Sequence, residues 1–174
     1  MAQPHQHQDA LLVYLKAVLE VCSSVPVPSD WKYVRPEDLL MDRGRWFQPH
    51  PLPGHYTRGT PRRCYLNAYR HARTTGSVYV EGYALDSYGF GHPHAWCSTS
   101  DGRVEDVTWQ DEEGLAYLGI GFAPHVLQRR RNSDFPGLLT DLHSTDFQIL
   151  RHGIPAEDLL LLGEPHERTA PADD

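Results

Sequence analysis

Three side chains in the middle of the chain have the chemistry of acyl transfer: Cys64, His94 and Asp106. A cysteine attacks a carbonyl once it is a thiolate, an imidazole takes and returns the proton, and a carboxylate fixes the imidazole's tautomer. Cys64 lies in TPRRCYLNAYRHARTTG, where Thr60 suits a helix N-cap, Pro61 the first helical position and Gly76 the residue past the end. That reading puts the sulfur in a first helical turn. Unpaired N–H groups and the helix dipole favour a thiolate there, and Arg62 and Arg63 add positive charge. Cys22 falls on the apolar stripe of an earlier helix and reads as packing.

Whether His94 and Asp106 meet is a question of register. HAWCST and VEDVTW are strand-like runs around Ser100-Asp101-Gly102. A three-residue loop with glycine in the left-handed position pairs Thr99 with Arg103 and Trp96 with Asp106. His94, Trp96, Asp106 and Thr108 then share one face, with Asp106 diagonal to His94. A two-residue turn would send Asp106 to the other face, opposite Cys97. The three-residue loop is the expectation. The bland alternative makes Asp106 an exposed strand acid and His94 a core histidine. Alternation also puts Cys97 on the face away from His94, which predicts packing.

The elements that must position these groups follow from periodicity. Residues 9–23 read as a helix capped by Asp9, with Leu11, Leu12, Leu15, Val18, Leu19 and Cys22 on its apolar side. The Pro- and Gly-rich stretch after it, with Trp31, Trp46 and Phe47, reads as an ordered loop region. Residues 77–85 alternate as a strand, and LAYLGIGFA reads as a further one. PHVLQRRR, PGLLTDLH and EDLLLLG are expected to be short helices. Helices first and antiparallel strands after predict an α+β fold. Residues 1–163 are expected to form a single domain, with 164–174 a disordered tail.

The ordered set CYLNAY, YVEGYAL, HAW and EDVTW resembles the transglutaminase-like branch of the papain-like thiol enzymes. The resemblance implies a nucleophile helix packed on an antiparallel β-sheet, and a Cys-His-Asp triad of Cys64, His94 and Asp106. It implies amide or ester hydrolysis, or acyl transfer, through a thioester on a peptide or small amide substrate, with no cofactor. The family's D-P-T stands here as Asp106-Val107-Thr108, and Arg62-Arg63 replaces its G-x-C approach. Gln48 and Asn67 are candidates for a second oxyanion donor beside the Cys64 N–H, Asn67 being equally able to bond within its own helix. Trp46, Phe47, Tyr88 and Phe90 could line a substrate groove. Trp96, with Trp109, flanks the expected site, and core packing under the hairpin is the plainer reading for both.

Composition narrows the alternatives. Sixteen Lys and Arg against 23 Asp and Glu give a net charge of −7, which opposes nucleic-acid binding and favours neutral or basic substrates. No apolar run is long enough to span a membrane, and the N-terminus lacks the pattern of a secretory signal. Three widely spaced cysteines form no disulfide framework, so a cytoplasmic setting is the default. His92 and His94, two apart on a strand, could bind zinc with Cys64 or Asp106; His5 and His7 repeat the spacing in a stretch expected to be disordered. A catalytically inactive binding module of the same fold is the other alternative.

Overall fold

The computed structural model describes residues 4–24, 26, 28–129 and 135–166. It is α+β, with one antiparallel sheet and a few helices. The elements run α1 (Pro4–Val21), α2 (Pro36–Arg43), β1 (Arg45–Phe47), α3 (Cys64–Thr75), β2 (Val78–Asp86), β3 (Gly91–Ser98), β4 (Val104–Glu105), β5 (Gly114–Phe122), α4 (Pro124–Gln128), α5 (Gln148–His152), β6 (Leu159–Leu160) and β7 (Glu164–Pro165). The sheet order is β4-β3-β2-β5-β1-β7, with β6 also on β5.

Alternation divides the central strands between two cores. Tyr79, Tyr83 and Leu85 of β2 join Ala95 and Cys97 of β3 beneath Leu11 and Leu15 of α1 and Leu66, Ala68 and Ala72 of α3. The intervening residues, Val80 and Ala84, pack with Phe47, Trp96, Val104 and Tyr117 in a second cluster. Each fully buried side chain of the size of Phe47 contributes roughly 1.5–3 kcal/mol through removal of its surface from water. α3 stops at Gly76, whose φ of 78° lets its N–H reach Ala72 O.

Several expectations need correction. α1 begins at Pro4, so Asp9 lies inside the helix and not at its cap, and His5 and His7 are helical. The stretch expected to be loop contains α2 and β1. α3 begins at Cys64, with Arg63 as N-cap; Thr60–Arg63 forms a turn, with Arg63 N bonded to Thr60 O and Arg62 at a φ of 64°. The strand expected over VEDVTW ends after Glu105. Residues 136–142 form no helix and lead into a single 3-10 turn at His143–Thr145. EDLLLLG is a 3-10 turn followed by β6, because Leu159 and Leu160 pair with Phe122 and Gly121 at the β5 edge. At the tail, Glu164 and Pro165 pair with β1 and His166 packs edge-on against Trp46; residues 167–174 lie outside the described set. Among the described residues no helix is long and apolar enough to cross a membrane.

Candidate active site

The β3–β4 hairpin has the three-residue loop. Ser98 pairs with Val104 and Cys97 with Glu105; Thr99 N donates to Arg103 O, and Gly102 takes a φ of 82°. Extending this register sets Asp106 opposite Trp96, where the chain leaves the ladder. Asp106 turns it: its Oδ1 accepts the N–H of Thr108 at 2.8 Å and of Trp109 at 3.0 Å. Its Oδ2 lies 2.7 Å from His94 Nε2 and accepts the Tyr117 hydroxyl at 3.0 Å. Four donors on one buried carboxylate are an environment for an anion.

Burial raises the carboxyl's proton affinity, but the His94 charge and these hydrogen bonds win and hold it below the usual range. Nε2 of His94 therefore carries the proton and donates it, which leaves Nδ1 for a second partner. Cys64 acts on the same ring, as a side-chain hydrogen-bonding group and as a nearby charge. Burial of the ring disfavours its charge. The attraction of Asp106, its hydrogen bond and the interaction with Cys64 outweigh this and raise the imidazole to about 9.

The sulfur reaches His94 because of where β4 stops. β4 covers β3 only at Cys97 and Ser98, so the outer edge of β3 at His94 has no ladder partner on that side. α3 packs on the opposite face of the sheet, where buried Cys97 donates to Ala68 O at 3.1 Å. Its first turn reaches the open edge beside residues 106–109. Gly59 N donates to Val107 O at 2.7 Å, and Asn67 Nδ2 donates to Thr108 Oγ1 at 3.0 Å and Thr60 O at 2.8 Å. Cys64 is partly exposed, whereas burial, followed by the Glu105 charge, pushes the Cys97 thiol well up. Trp109 stacks on the His94 ring at 4.2 Å and 23°, and Trp96 lies beyond at 6.2 Å.

Other sequence candidates fall in different places. Asn67 spends its amide hydrogens on Thr60 and Thr108, fastening α3 to the turn, and its bonds run outside its own helix. Gln48 is exposed at the hairpin tip, where its backbone bonds to Gly102 and Val104. Trp46 and Phe47 are buried on β1, not held in a loop, and Phe47 meets Trp96 edge-on at 5.6 Å. Trp96 is fully buried, so it supports His94 from within the core. Tyr88 and Phe90, 86% and 60% exposed, occupy the β2–β3 turn, whose N–H groups Asp86 caps. His92 binds Asp86 Oδ2 at 2.8 Å while His94 is bound to Asp106, so each histidine has its own carboxylate. Among the described residues no group of three His, Cys, Asp or Glu side chains is arranged to hold a metal ion.

Two participants were not picked out from sequence. Tyr117 reaches Asp106 from β5, which follows the hairpin in the chain but is separated from it in the sheet by β2; only the alternation of LAYLGIGFA hinted at its face. Arg58 donates to Trp109 O at 2.7 Å and binds Asp111, which also accepts the Leu52 N–H. Asp111 is thus an anchor for the Trp109 segment. No family model, curated protein or solved structure matches the chain.

Proposed function

We propose that the chain is a thiol-dependent amide or ester hydrolase, or acyltransferase, built on a transglutaminase-like arrangement. The observation that carries this reading is the His94–Asp106 pair at 2.7 Å, with Cys64 acting on the same ring. Cys64 is the nucleophile, His94 the general acid and base, and Asp106 the orienting carboxylate.

In the first half-reaction the Cys64 thiolate adds to the substrate carbonyl carbon and the carbonyl electrons move to oxygen. Collapse expels the amine, which takes its proton from the His94 imidazolium, and leaves a thioester on Cys64. Water or a second amine then attacks the thioester, giving its proton to His94 as the sulfur departs. The Cys64 backbone N–H stands at N1 of a helix with no side-chain cap, available to the developing oxyanion. Trp109 covers the imidazole and excludes water from its bond to Asp106.

Iodoacetamide labelling read by peptide mass spectrometry tests this. Cys64 should label fast at neutral pH and Cys22 and Cys97 slowly, and His94→Ala should slow Cys64 at least about tenfold toward an ordinary thiol, whose pKa is about 8.5. A Cys64 rate that is ordinary and indifferent to His94 would defeat the proposal.

A further inference from the structure

Between α2, β2 and the segment 139–142 lies a cavity of about 210 Å³. It lies on the α3 face of the sheet, and chain or ladder neighbours of both reacting groups line it. Tyr65, which follows Cys64, and Pro93, which precedes His94, line it, as does Gly82, the ladder partner of His94. At about 30 Å³ per water, the space is that of roughly seven heavy atoms, one long side chain and not a whole ligand.

Its chemistry is two-sided. Leu40, Leu139, Leu142 and the tyrosine rings supply apolar wall, and Glu37 and Glu81 supply carboxylates; among the described residues no Lys, Arg or His lines it. Glu81 is fixed by the Tyr79 hydroxyl at 2.6 Å and by the N–H groups of Leu138 and Leu139. Glu37 accepts the Tyr83 hydroxyl at 2.5 Å. The Tyr65 hydroxyl senses the same field: burial first, then the Glu81 and Cys64 charges, push it up. An aliphatic stem with a cationic head satisfies both parts, with the stem on the leucines and the head near the carboxylates and tyrosine faces.

We infer that this cavity is a side-chain subsite that selects acyl donors bearing an aliphatic cation, of the lysine kind, next to the reacting carbonyl. The inference rests on the proposed thiol chemistry for its meaning, but the subsite can be read without it.

Cys64→Ala protein is titrated with Nα-acetyl-lysine methylamide and with its norleucine counterpart, and binding is followed by backbone amide NMR. The lysine compound should bind at least about tenfold more tightly and move the signals of Leu40, Gly82 and Thr140. Glu37→Gln should bring the ratio of the two affinities close to one, and Leu142→Phe, which fills the cavity, should weaken both. Equal affinity for the two compounds, or shifts confined to other surfaces, would overturn the subsite. Since the titrated protein lacks the thiol, that failure would leave the Cys64–His94 reading standing; ordinary iodoacetamide labelling of the wild type would defeat the chemistry and leave the binding result intact.

Discussion

Asp106→Asn is the sharpest perturbation of the site. Each Asp106 oxygen accepts from two donors, Oδ1 from Thr108 and Trp109, Oδ2 from His94 and Tyr117. An asparagine has one acceptor end, so its NH₂ must face one pair of donors. The backbone N–H groups cannot turn away. The Tyr117 hydroxyl can rotate to accept, and an imidazole can accept only when neutral, with its proton on Nδ1. The amide should therefore settle with NH₂ toward His94, and the imidazolium loses its partner. In the wild type His94 is raised to about 9 from an ordinary 6.5. Without the carboxylate, burial pulls the ring down and only the Cys64 interaction still raises it, so it falls toward its ordinary 6.5. The whole shift is worth roughly 3 kcal/mol, a factor of order 10² in the protonation equilibrium, with Asp106 its larger source and Cys64 the smaller. At pH 7 the ring should go from nearly all protonated to mostly neutral. Ring ¹⁵N shifts of His94 read the protonation, and iodoacetamide labelling at pH 7 reads the thiol, which should react at least about tenfold more slowly. A His94 ring still protonated at pH 8 in Asp106→Asn would refute the argument.

The same shift makes stability depend on pH. Because the folded imidazole is raised, its contribution is complete below about 6.5 and is lost as pH rises through about 9. The urea midpoint of the wild type should fall between pH 7 and pH 10 by more than that of His94→Phe; equal falls would deny the link. Gly102→Ala forces a side chain into a left-handed backbone beside Gly163, and should cost about 1–2 kcal/mol in urea unfolding. His71→Ala leaves the buried Glu105 carboxylate without the imidazole 3.2 Å away, and should cost about 3–5 kcal/mol; a change below 1 kcal/mol would show that the pair is not a structural tie between α3 and β4.

What could be read from sequence was whatever depended on neighbours along the chain. Ser100-Asp101-Gly102 specified a loop length, loop length specified register, and register put His94 and Asp106 together. Gly76 marked a helix end because only a left-handed residue fits there. The start of that helix was misjudged by a Thr-Pro pair that instead makes a turn, and the sulfur consequently stands at N1. Four successive leucines in EDLLLLG match neither a period of two nor one of 3.6, so the open edge of β5 decided their state. Tyr117 and Arg58 contribute through strand order and loop return, which no local pattern encodes. Trp46 and Phe47 looked like loop aromatics because a three-residue strand is too short to alternate visibly.

The imidazole and its carboxylate stand twelve residues apart on a single hairpin, whereas the sulfur belongs to a helix packed on the far side of the sheet. A hairpin closes in microseconds, while a helix settles against its sheet only as the core condenses. Reactivity at Cys64 therefore matures last. A pulse of alkylating agent during refolding would time the final step of assembly, and any variant that loosens the helix would dim the chemistry before the chain itself came apart.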